Sequence, residues 1–150
     1  MGIFMGIMTL IFIPFIFLIH WRFDILTEKI LIVEDDGIIS LEIMQILQSK
    51  GYQSYAVFSS KDAIEKAQEI QPELILMDIK LNGEDDGIKT AIKISEIMDV
   101  PIIYLTACAD NVTLNAAKLT KSCAYILKPF DEEELINKVE IALNKHKLGI

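Results

Sequence analysis

Cysteine and basic side chains are both scarce in this sequence. Its 150 residues contain two cysteines, Cys108 and Cys123, which are too few for a disulfide framework or a cysteine-based zinc site. Lysine and arginine total 14 against 22 aspartates and glutamates, which gives a formal net charge of −8. Nucleic-acid binding needs clustered positive charge to neutralise phosphates, so we expect no nucleic-acid partner. Hydrophobic residues make up 52% of the chain, which excludes a disordered or collagen-like protein.

Charged residues are missing altogether from the first 21 positions of the chain. Residues 1–19 form an almost entirely apolar run, and a helix of that length extends for about 28 Å, close to the thickness of a bilayer core. Arg22 follows this run, and the positive-inside rule would then place the rest of the chain in the cytoplasm. From Thr27 onward the composition is that of an ordinary globular domain, so we place a boundary at residues 23–27.

This pattern supports two interpretations of residues 1–23. In the first, they form a transmembrane helix, and residues 1–19 tether the following domain to a membrane. In the second, they are an extension upstream of the true translation start, and the native protein begins near Leu26 at a non-AUG codon. Both interpretations leave one domain at residues 27–147, which is long enough to bury a core of its own.

Short, continuous apolar runs indicate the strands of this domain. The four strongest runs do not alternate with polar residues, which is typical of strands buried on both faces of a parallel sheet. A fifth, more mixed segment at residues 55–58 predicts an edge strand. The strong runs occupy residues 30–33, 74–77, 102–105 and 125–127.

Amphipathic segments between and after these runs predict five helices. Each has apolar residues three or four positions apart, which is the spacing of one helix face. We expect Gly51 to end the first helix, Ser59 or Ser60 to cap the second and Asp131 to cap the last. The alternation predicts an α/β fold, with a doubly wound five-stranded parallel sheet and helices on both faces. The five apolar stripes are Ile39, Ile43, Ile46 and Leu47; Ala63, Ala67 and Ile70; Ile88, Ala91, Ile92 and Ser95; Val112, Ala116 and Leu119; and Leu135, Val139, Ala142 and Leu143.

Polar side chains follow each strong strand of the predicted sheet. Three acids at residues 34–36 follow the first strong run, and Asp78, Thr106 and Lys128 follow the other three. Ligands of doubly wound sheets bind at the carboxyl ends of the strands, so these groups should converge. Carboxylates this close repel one another unless a cation joins them, and Mg²⁺ suits such oxygen ligands. A carboxylate beside Mg²⁺ can accept a phosphoryl group, whose other oxygens Thr106 and Lys128 could hold.

Four sequence strings resemble the receiver domain of two-component response regulators. They are ILIVEDD at residues 30–36, LILMDIK at 74–80, IYLTA at 103–107 and YILKPF at 125–130. The resemblance extends over residues 28–146, and four strings in order at matching spacing are far more specific than any one alone. It implies a flavodoxin-like sheet with the strand order 2-1-3-4-5. It also implies a stand-alone receiver, since the last predicted helix ends near the end of the sequence.

The resemblance implies a phosphoacceptor and a metal site. Asp78 is the expected phosphoacceptor. The expected cofactor is Mg²⁺, held by Glu34, Asp35, Asp78 and the backbone carbonyl of Lys80, with Asp35 as a direct ligand. By contrast, Asp36 lies one step past the acidic pair, and we expect it to favour the start of a helix.

The resemblance further implies a conformational switch. Thr106 would shift toward the phosphoryl group, and Tyr125 would follow it inward. Lys128 would pair with the phosphoryl oxygens, and the bond between Lys128 and Pro129 would be cis.

The partners implied by the resemblance are a sensor histidine kinase or phosphotransfer protein as donor, and an unknown downstream protein. A homodimer of the phosphorylated form is also compatible with it. We expect a signalling module that catalyses its own phosphorylation, not an enzyme. The main alternative is a pseudo-receiver that is never phosphorylated and acts as a docking module. An FMN carrier is disfavoured by the acidic loop at 34–36, and a dehalogenase-like phosphatase by Lys80 where it would have an acid.

Overall fold

Hydrophobic strands alternate with amphipathic helices through most of the chain. The computed structural model describes residues 27–81, 87–107 and 122–150, together with residues 115, 118 and 120. The strands are β1 (Lys29–Val33), β2 (Gln53–Val57), β3 (Leu74–Asp78), β4 (Ile102–Thr106) and β5 (Ser122–Leu127). The helices are α1 (Gly37–Ser49), α2 (Ser60–Ile70), α3 (Gly87–Ile97) and α4 (Glu132–Leu148). These residues therefore contain four of the five predicted helices, and the stripe Val112, Ala116 and Leu119 lies outside them.

The five strands form one parallel sheet in the order β2-β1-β3-β4-β5. This confirms the predicted fold class and strand order. Because β1 and β3 are neighbours, their carboxyl ends lie side by side, and β4 ends next to β3. The order of the strands thus brings the residues that follow them together at one end of the sheet, beyond the carboxyl ends of the strands.

Each face of the sheet carries its own hydrophobic core. Alternate residues of a strand point to opposite faces, so Ile30 and Ile32 pack with α1 and α4, while Leu31 and Val33 pack with α2 and α3. Burial on both sides explains why residues 30–33, 74–77 and 102–105 of β1, β3 and β4 are apolar without interruption, as predicted.

The predicted helix caps are present. The Ser59 side chain accepts a hydrogen bond from the Asp62 amide at the start of α2, and Asp131 accepts one from the Glu134 amide at the start of α4. These bonds satisfy amide groups that have no partner within their own helix. Gly51 follows α1 with a φ of 89°, a conformation that favours glycine.

The prediction that residues 125–127 are buried on both faces is wrong. Ile126 is fully buried, but the side chains of Tyr125 and Leu127 are 40% and 42% exposed. The reason is the position of β5 at the edge of the sheet, where Ile126 packs into the core beneath α4 and its two neighbours point the other way. A short apolar run does not distinguish an edge strand from a central one.

The segment at residues 1–23, predicted to be a membrane helix or an upstream extension, lies outside the described residues. None of the helices in the described ranges is both long enough and apolar enough to cross a membrane.

Gly87 allows α3 to begin directly against the end of β3. Its amide donates a hydrogen bond to the carbonyl oxygen of Ile79 over 2.8 Å. A β-carbon on residue 87 would lie only 1.8 Å from the carbonyl oxygen of Asp78, closer than any real contact. The backbone of Asp78 is therefore supported by a position that has no room for a side chain.

We expect Gly87→Ala to lower the free energy of unfolding by roughly 1–3 kcal/mol or more, since the new methyl group must displace backbone atoms. Urea titration followed by circular dichroism would measure this. Gly37→Ala is the matched control, because Gly37 also begins a helix and, apart from its chain neighbours and the backbone of its own helix, nothing lies within 4 Å of the place that its new methyl group would occupy. Equal stability of the two variants would contradict the close approach at Gly87.

Candidate functional site

The residues predicted from the strand ends do meet in one place. They line an open cleft of about 470 Å³ at the carboxyl ends of the strands. The lining residues are Glu34, Asp35, Asp36, Ile39, Asp78, Lys80, Thr106, Ala107 and Lys128. All five residues expected to perform the chemistry (Glu34, Asp35, Asp78, Thr106 and Lys128) are among them.

Glu34 is the most deeply buried acid of the cleft. Its side chain is only 1% exposed, because it directly follows the buried strand β1. One carboxylate oxygen, Oε1, accepts a hydrogen bond from the Asp36 amide over 3.1 Å. The other, Oε2, lies 2.6 Å from the ammonium nitrogen of Lys128. Both oxygens therefore have a donor, which a buried carboxylate requires.

Lys128 connects the two central acids. Its Nζ also lies 3.2 Å from Oδ2 of Asp78, so one cation contacts both carboxylates. The backbone positions it, because the Lys128 amide donates to the carbonyl of Thr106 over 2.8 Å and continues the pairing of β4 with β5. The peptide bond between Lys128 and Pro129 is cis, as expected.

Burial dominates the electrostatics of Glu34 and Lys128. Removal from water raises the pKa of Glu34 to about 7, although hydrogen bonds from Lys128 and the Asp36 amide oppose the increase, and the charge of Asp78 adds to it. Burial alone would lower the pKa of Lys128, but its hydrogen bond to Glu34 and the charge of Asp78 outweigh this and raise it. Lys128 therefore keeps its charge, and Glu34 is the group whose ionisation is costly.

Asp78 is held at both oxygens. Its residue is 5% exposed at the end of β3, and Oδ1 accepts a hydrogen bond from the Lys80 amide over 3.1 Å. Oδ2 faces Lys128, as described above. The carboxylate is thus fixed at the floor of the cleft with its orientation determined.

The acids of the cleft can bind a hard cation. One oxygen from each of Glu34, Asp35 and Asp78 lies within 4.8 Å of the other two. Asp35 is only partly buried, which leaves it accessible from the cleft. Three clustered carboxylates are a donor set suited to Mg²⁺. The predicted fourth ligand is the carbonyl of Lys80, a residue that lines the same cleft, and its role stays a prediction.

The two expected switch residues lie in different surroundings. Thr106 is buried, 4% exposed, and lines the cleft. Tyr125 lies outside the cleft lining and is 40% exposed. The ammonium group of Lys138 sits 5.3 Å from the centre of its ring and donates to its backbone carbonyl over 2.6 Å. The switching role of both residues stays a prediction.

Other residues shape the cleft without being predicted as site residues. Asp36 caps α1, since its Oδ1 accepts hydrogen bonds from the amides of Ile38 and Ile39. Gly87 supports the Asp78 backbone, and Ala107 lines the wall. The feature of the sequence that could have pointed to Gly87 is its position at the start of a predicted helix, nine residues after Asp78.

A family comparison identifies this arrangement. The family model described as "Response regulator receiver domain" matches residues 30–140. The chain belongs to the response regulator receiver family. The transcriptional regulatory protein PdtaR of Mycobacterium tuberculosis is 30% identical to this receiver over 121 residues, which cover 80% of the chain and 58% of PdtaR. The transcriptional regulatory protein CrdR of Helicobacter pylori is 29% identical over 82% of the chain and 58% of its own length. The receiver thus spans less than two thirds of these curated relatives.

Solved structures are similar to this receiver in fold. The N-terminal domain of a response regulator/sensory box/GGDEF 3-domain protein from Carboxydothermus hydrogenoformans has a TM-score of 0.76 and 34% identity, over 81% of this chain and 98% of that one. A two-component response regulator from Clostridium difficile has a TM-score of 0.76 and 27% identity, over 80% of this chain and 98% of that one.

We expect Glu34 and Lys128 to be strongly coupled, because removing Lys128 leaves the buried carboxylate of Glu34 without its counterion. In a double-mutant cycle of Glu34→Gln and Lys128→Met, measured by urea unfolding without divalent cations, the coupling energy should exceed about 1 kcal/mol.

The matched control is the ion pair of Lys61 and Glu65, 3.9 Å apart, whose side chains are 82% and 65% exposed. Its cycle, with Lys61→Met and Glu65→Gln, should give only a few tenths of a kcal/mol. A Glu34–Lys128 coupling as small as this control would show that the buried pair contributes no special stabilisation.

Proposed function

We propose that this receiver accepts a phosphoryl group on Asp78 from a phosphohistidine of a sensor histidine kinase or phosphotransfer protein. The observation that supports this is the placement of one buried carboxylate between a fixed cation and two further acids. Oδ2 of Asp78 lies 3.2 Å from Lys128, and Glu34 and Asp35 lie within metal-binding distance of Asp78.

In the proposed reaction, an oxygen of Asp78 attacks the phosphorus of the phosphohistidine. The new O–P bond forms as the P–N bond breaks, and the bonding electrons remain on the imidazole nitrogen of the donor. Lys128 then exchanges a carboxylate partner for a phosphoryl oxygen, and the Thr106 hydroxyl donates to another. The Lys80 amide, which donates to Oδ1, keeps the attacking carboxylate oriented.

Glu34, Asp35 and Asp78 would hold Mg²⁺, together with the Lys80 carbonyl. When bound, Mg²⁺ supplies positive charge beside the phosphoryl oxygens. The side chains fit this ion, since they offer clustered oxygens and hold Asp35 open to the cleft.

The signal would leave by contact with another protein. The receiver would act as a signalling module and not as an enzyme on a separate substrate. Its donor would phosphorylate it, and hydrolysis would return it to the unphosphorylated state.

The receiver would function in the cytoplasm, with residues 1–19 as a membrane tether if they belong to the native chain. A homodimer of the phosphorylated form is compatible with this proposal. The relatives PdtaR and CrdR are named as transcriptional regulators, so a transcriptional output is one outcome open to test.

Addition of Mg²⁺ should raise the melting temperature of the protein. At tenfold excess over the dissociation constant, the added stability is about 1.4 kcal/mol. Asp35→Asn should abolish most of this response, because it removes a ligand from the cleft. Asp36→Asn is the control that should preserve it, since asparagine caps a helix as well as aspartate does. Differential scanning fluorimetry over a MgCl₂ series measures both; an unchanged response of Asp35→Asn would exclude this metal site.

Incubation with acetyl phosphate and Mg²⁺ should add one phosphoryl group to the protein. Intact-mass spectrometry and peptide mapping should place it on Asp78, and chelation of Mg²⁺ should prevent it. Asp78→Asn should remain unlabelled, whereas Asp36→Asn should be labelled like the wild type, because Asp36 is occupied in capping α1. If the wild type binds Mg²⁺ but stays unlabelled by both acetyl phosphate and a phosphorylated histidine kinase, the protein is a docking module instead.

A further inference from the structure

The peptide group between Ile79 and Lys80 lies just beyond the end of β3 and has a hydrogen bond at each end. Its carbonyl oxygen, on Ile79, accepts a hydrogen bond from the Gly87 amide over 2.8 Å. Its N–H, on Lys80, donates to Oδ1 of Asp78 over 3.1 Å. One peptide group therefore connects the first residue of α3 to the carboxylate at the floor of the cleft.

The rigidity of a peptide group links these two hydrogen bonds. The group between Ile79 and Lys80 is trans, so it is planar and its C=O and N–H bonds point in opposite directions. The direction of the Ile79 carbonyl thus determines the direction of the Lys80 N–H. Because Gly87 holds the carbonyl on one side, the N–H points to the other side, toward Asp78. Rotation of this group would break both hydrogen bonds together.

Pairing within the sheet does not fix the direction of this peptide group. Strand β3 ends at Asp78, and the Ile79 amide, which donates to the carbonyl of Leu105 on β4 over 3.0 Å, belongs to the preceding peptide group. The group between Ile79 and Lys80 makes both of its hydrogen bonds outside the sheet. Of its two partners, Asp78 contributes a side-chain oxygen and Gly87 contributes a main-chain amide.

Helix α3 provides a fixed anchor for the Ile79 carbonyl. Its residues Ala91 and Ile94 are fully buried in the core, which holds the helix in place without help from Gly87. The helix can begin this close to β3 only because residue 87 has no side chain. A β-carbon on Gly87 would lie 1.8 Å from the carbonyl oxygen of Asp78 and 3.0 Å from Cα of Ile79.

We propose that Gly87 is a positioning residue, whose amide sets the direction of the peptide group after Ile79 and so aims the Lys80 amide at the Asp78 carboxylate. Gly87 is not part of the cleft lining and acts only through this peptide group. Its effect on phosphorylation rests on the proposed function; its effect on the Lys80 amide does not.

The main test removes the Gly87 donor without adding a side chain. Glycolic acid incorporated in place of Gly87 in the full chain replaces the amide N–H by an ester oxygen. This ester variant loses one hydrogen bond and gains no bulk, so it should fold. Gly87→Ala is the second variant, because its methyl group must displace the same peptide groups. Should either variant fail to fold, the other decides the question.

The matched control is the same ester at Gly37. Gly37 is also the first residue of a helix at the carboxyl end of a strand, and its amide has no partner within that helix. Each ester also weakens the carbonyl of the preceding residue as an acceptor for the first turn of its helix. The control therefore reproduces every general effect of the ester except the loss of the bond to Ile79.

The first measurement does not depend on activity. Amide NMR spectra, recorded without divalent cations, give the exchange rate of the Lys80 amide relative to the Ile75 amide, which donates to Pro101 at the other end of β3. This ratio removes the effect of global stability. We expect it to rise by about tenfold or more in both Gly87 variants, since the Lys80 amide loses its aim, and to be unchanged in the Gly37 ester. An unchanged ratio in the Gly87 ester would overturn the proposal, whatever the function of the protein.

The second measurement is the rate of Asp78 labelling by acetyl phosphate at saturating Mg²⁺. A carboxylate that is no longer oriented should be labelled about tenfold more slowly or less, since small errors in position are costly for a reacting group. The Gly37 ester should be labelled at the wild-type rate. Absence of labelling in the wild type would refute the proposed function alone. Equal rates in the Gly87 ester and the wild type would refute the role of Gly87 in the reaction.

Discussion

The cleft depends on one cation held between two buried carboxylates. Glu34 and Asp78 come from neighbouring strands and are both almost inaccessible to solvent, and Lys128 contacts each of them. Two such charges would repel each other strongly in a medium of low polarity, and one of them would take up a proton. Lys128 reduces this repulsion but does not remove the cost of burial, which is why the pKa of Glu34 remains raised, at about 7. The site is thus an acidic pocket that one lysine only partly neutralises.

Partial neutralisation has a chemical consequence. Glu34, Asp35 and Asp78 cluster beside the ammonium group of Lys128, which contacts two of them, so a further positive charge is favourable among them. A divalent ion would meet this need with its preferred oxygen ligands. A phosphoryl group arriving with its own negative charge would compete with Glu34 for Lys128. Under the proposed function, Lys128 therefore has a role both before and after phosphorylation. It is first the counterion of the acids and then the partner of the phosphoryl oxygens.

Much of this arrangement could be predicted from local patterns in the sequence. Continuous apolar runs predicted β1, β3 and β4, because burial on both faces leaves no polar positions in a strand. Once a doubly wound sheet was inferred, the residues after each strand were expected to meet at the carboxyl ends of the strands, and they do. The caps Ser59 and Asp131 were also predictable from local sequence, since capping involves groups only three residues apart.

The features that were missed depend on contacts between distant parts of the chain. The exposure of Tyr125 and Leu127 follows from the edge position of β5, which no property of residues 125–127 reveals. The buried face of α3 includes Thr90 and Ile94, while Ile92, expected in its apolar stripe, is only half-buried. Thr90 is buried because its hydroxyl meets Ser60 on α2, a partner that helical periodicity cannot show.

The placement of Lys128 shows why a list of site residues is an incomplete description of a site. A lysine side chain is long and flexible, so the position of its backbone limits the points that its charge can reach. That backbone belongs to an edge strand, which has a neighbour on one side only. The neighbour is β4, where the carbonyl of Thr106 accepts a hydrogen bond from the Lys128 amide, so this pairing of main chains positions the lysine.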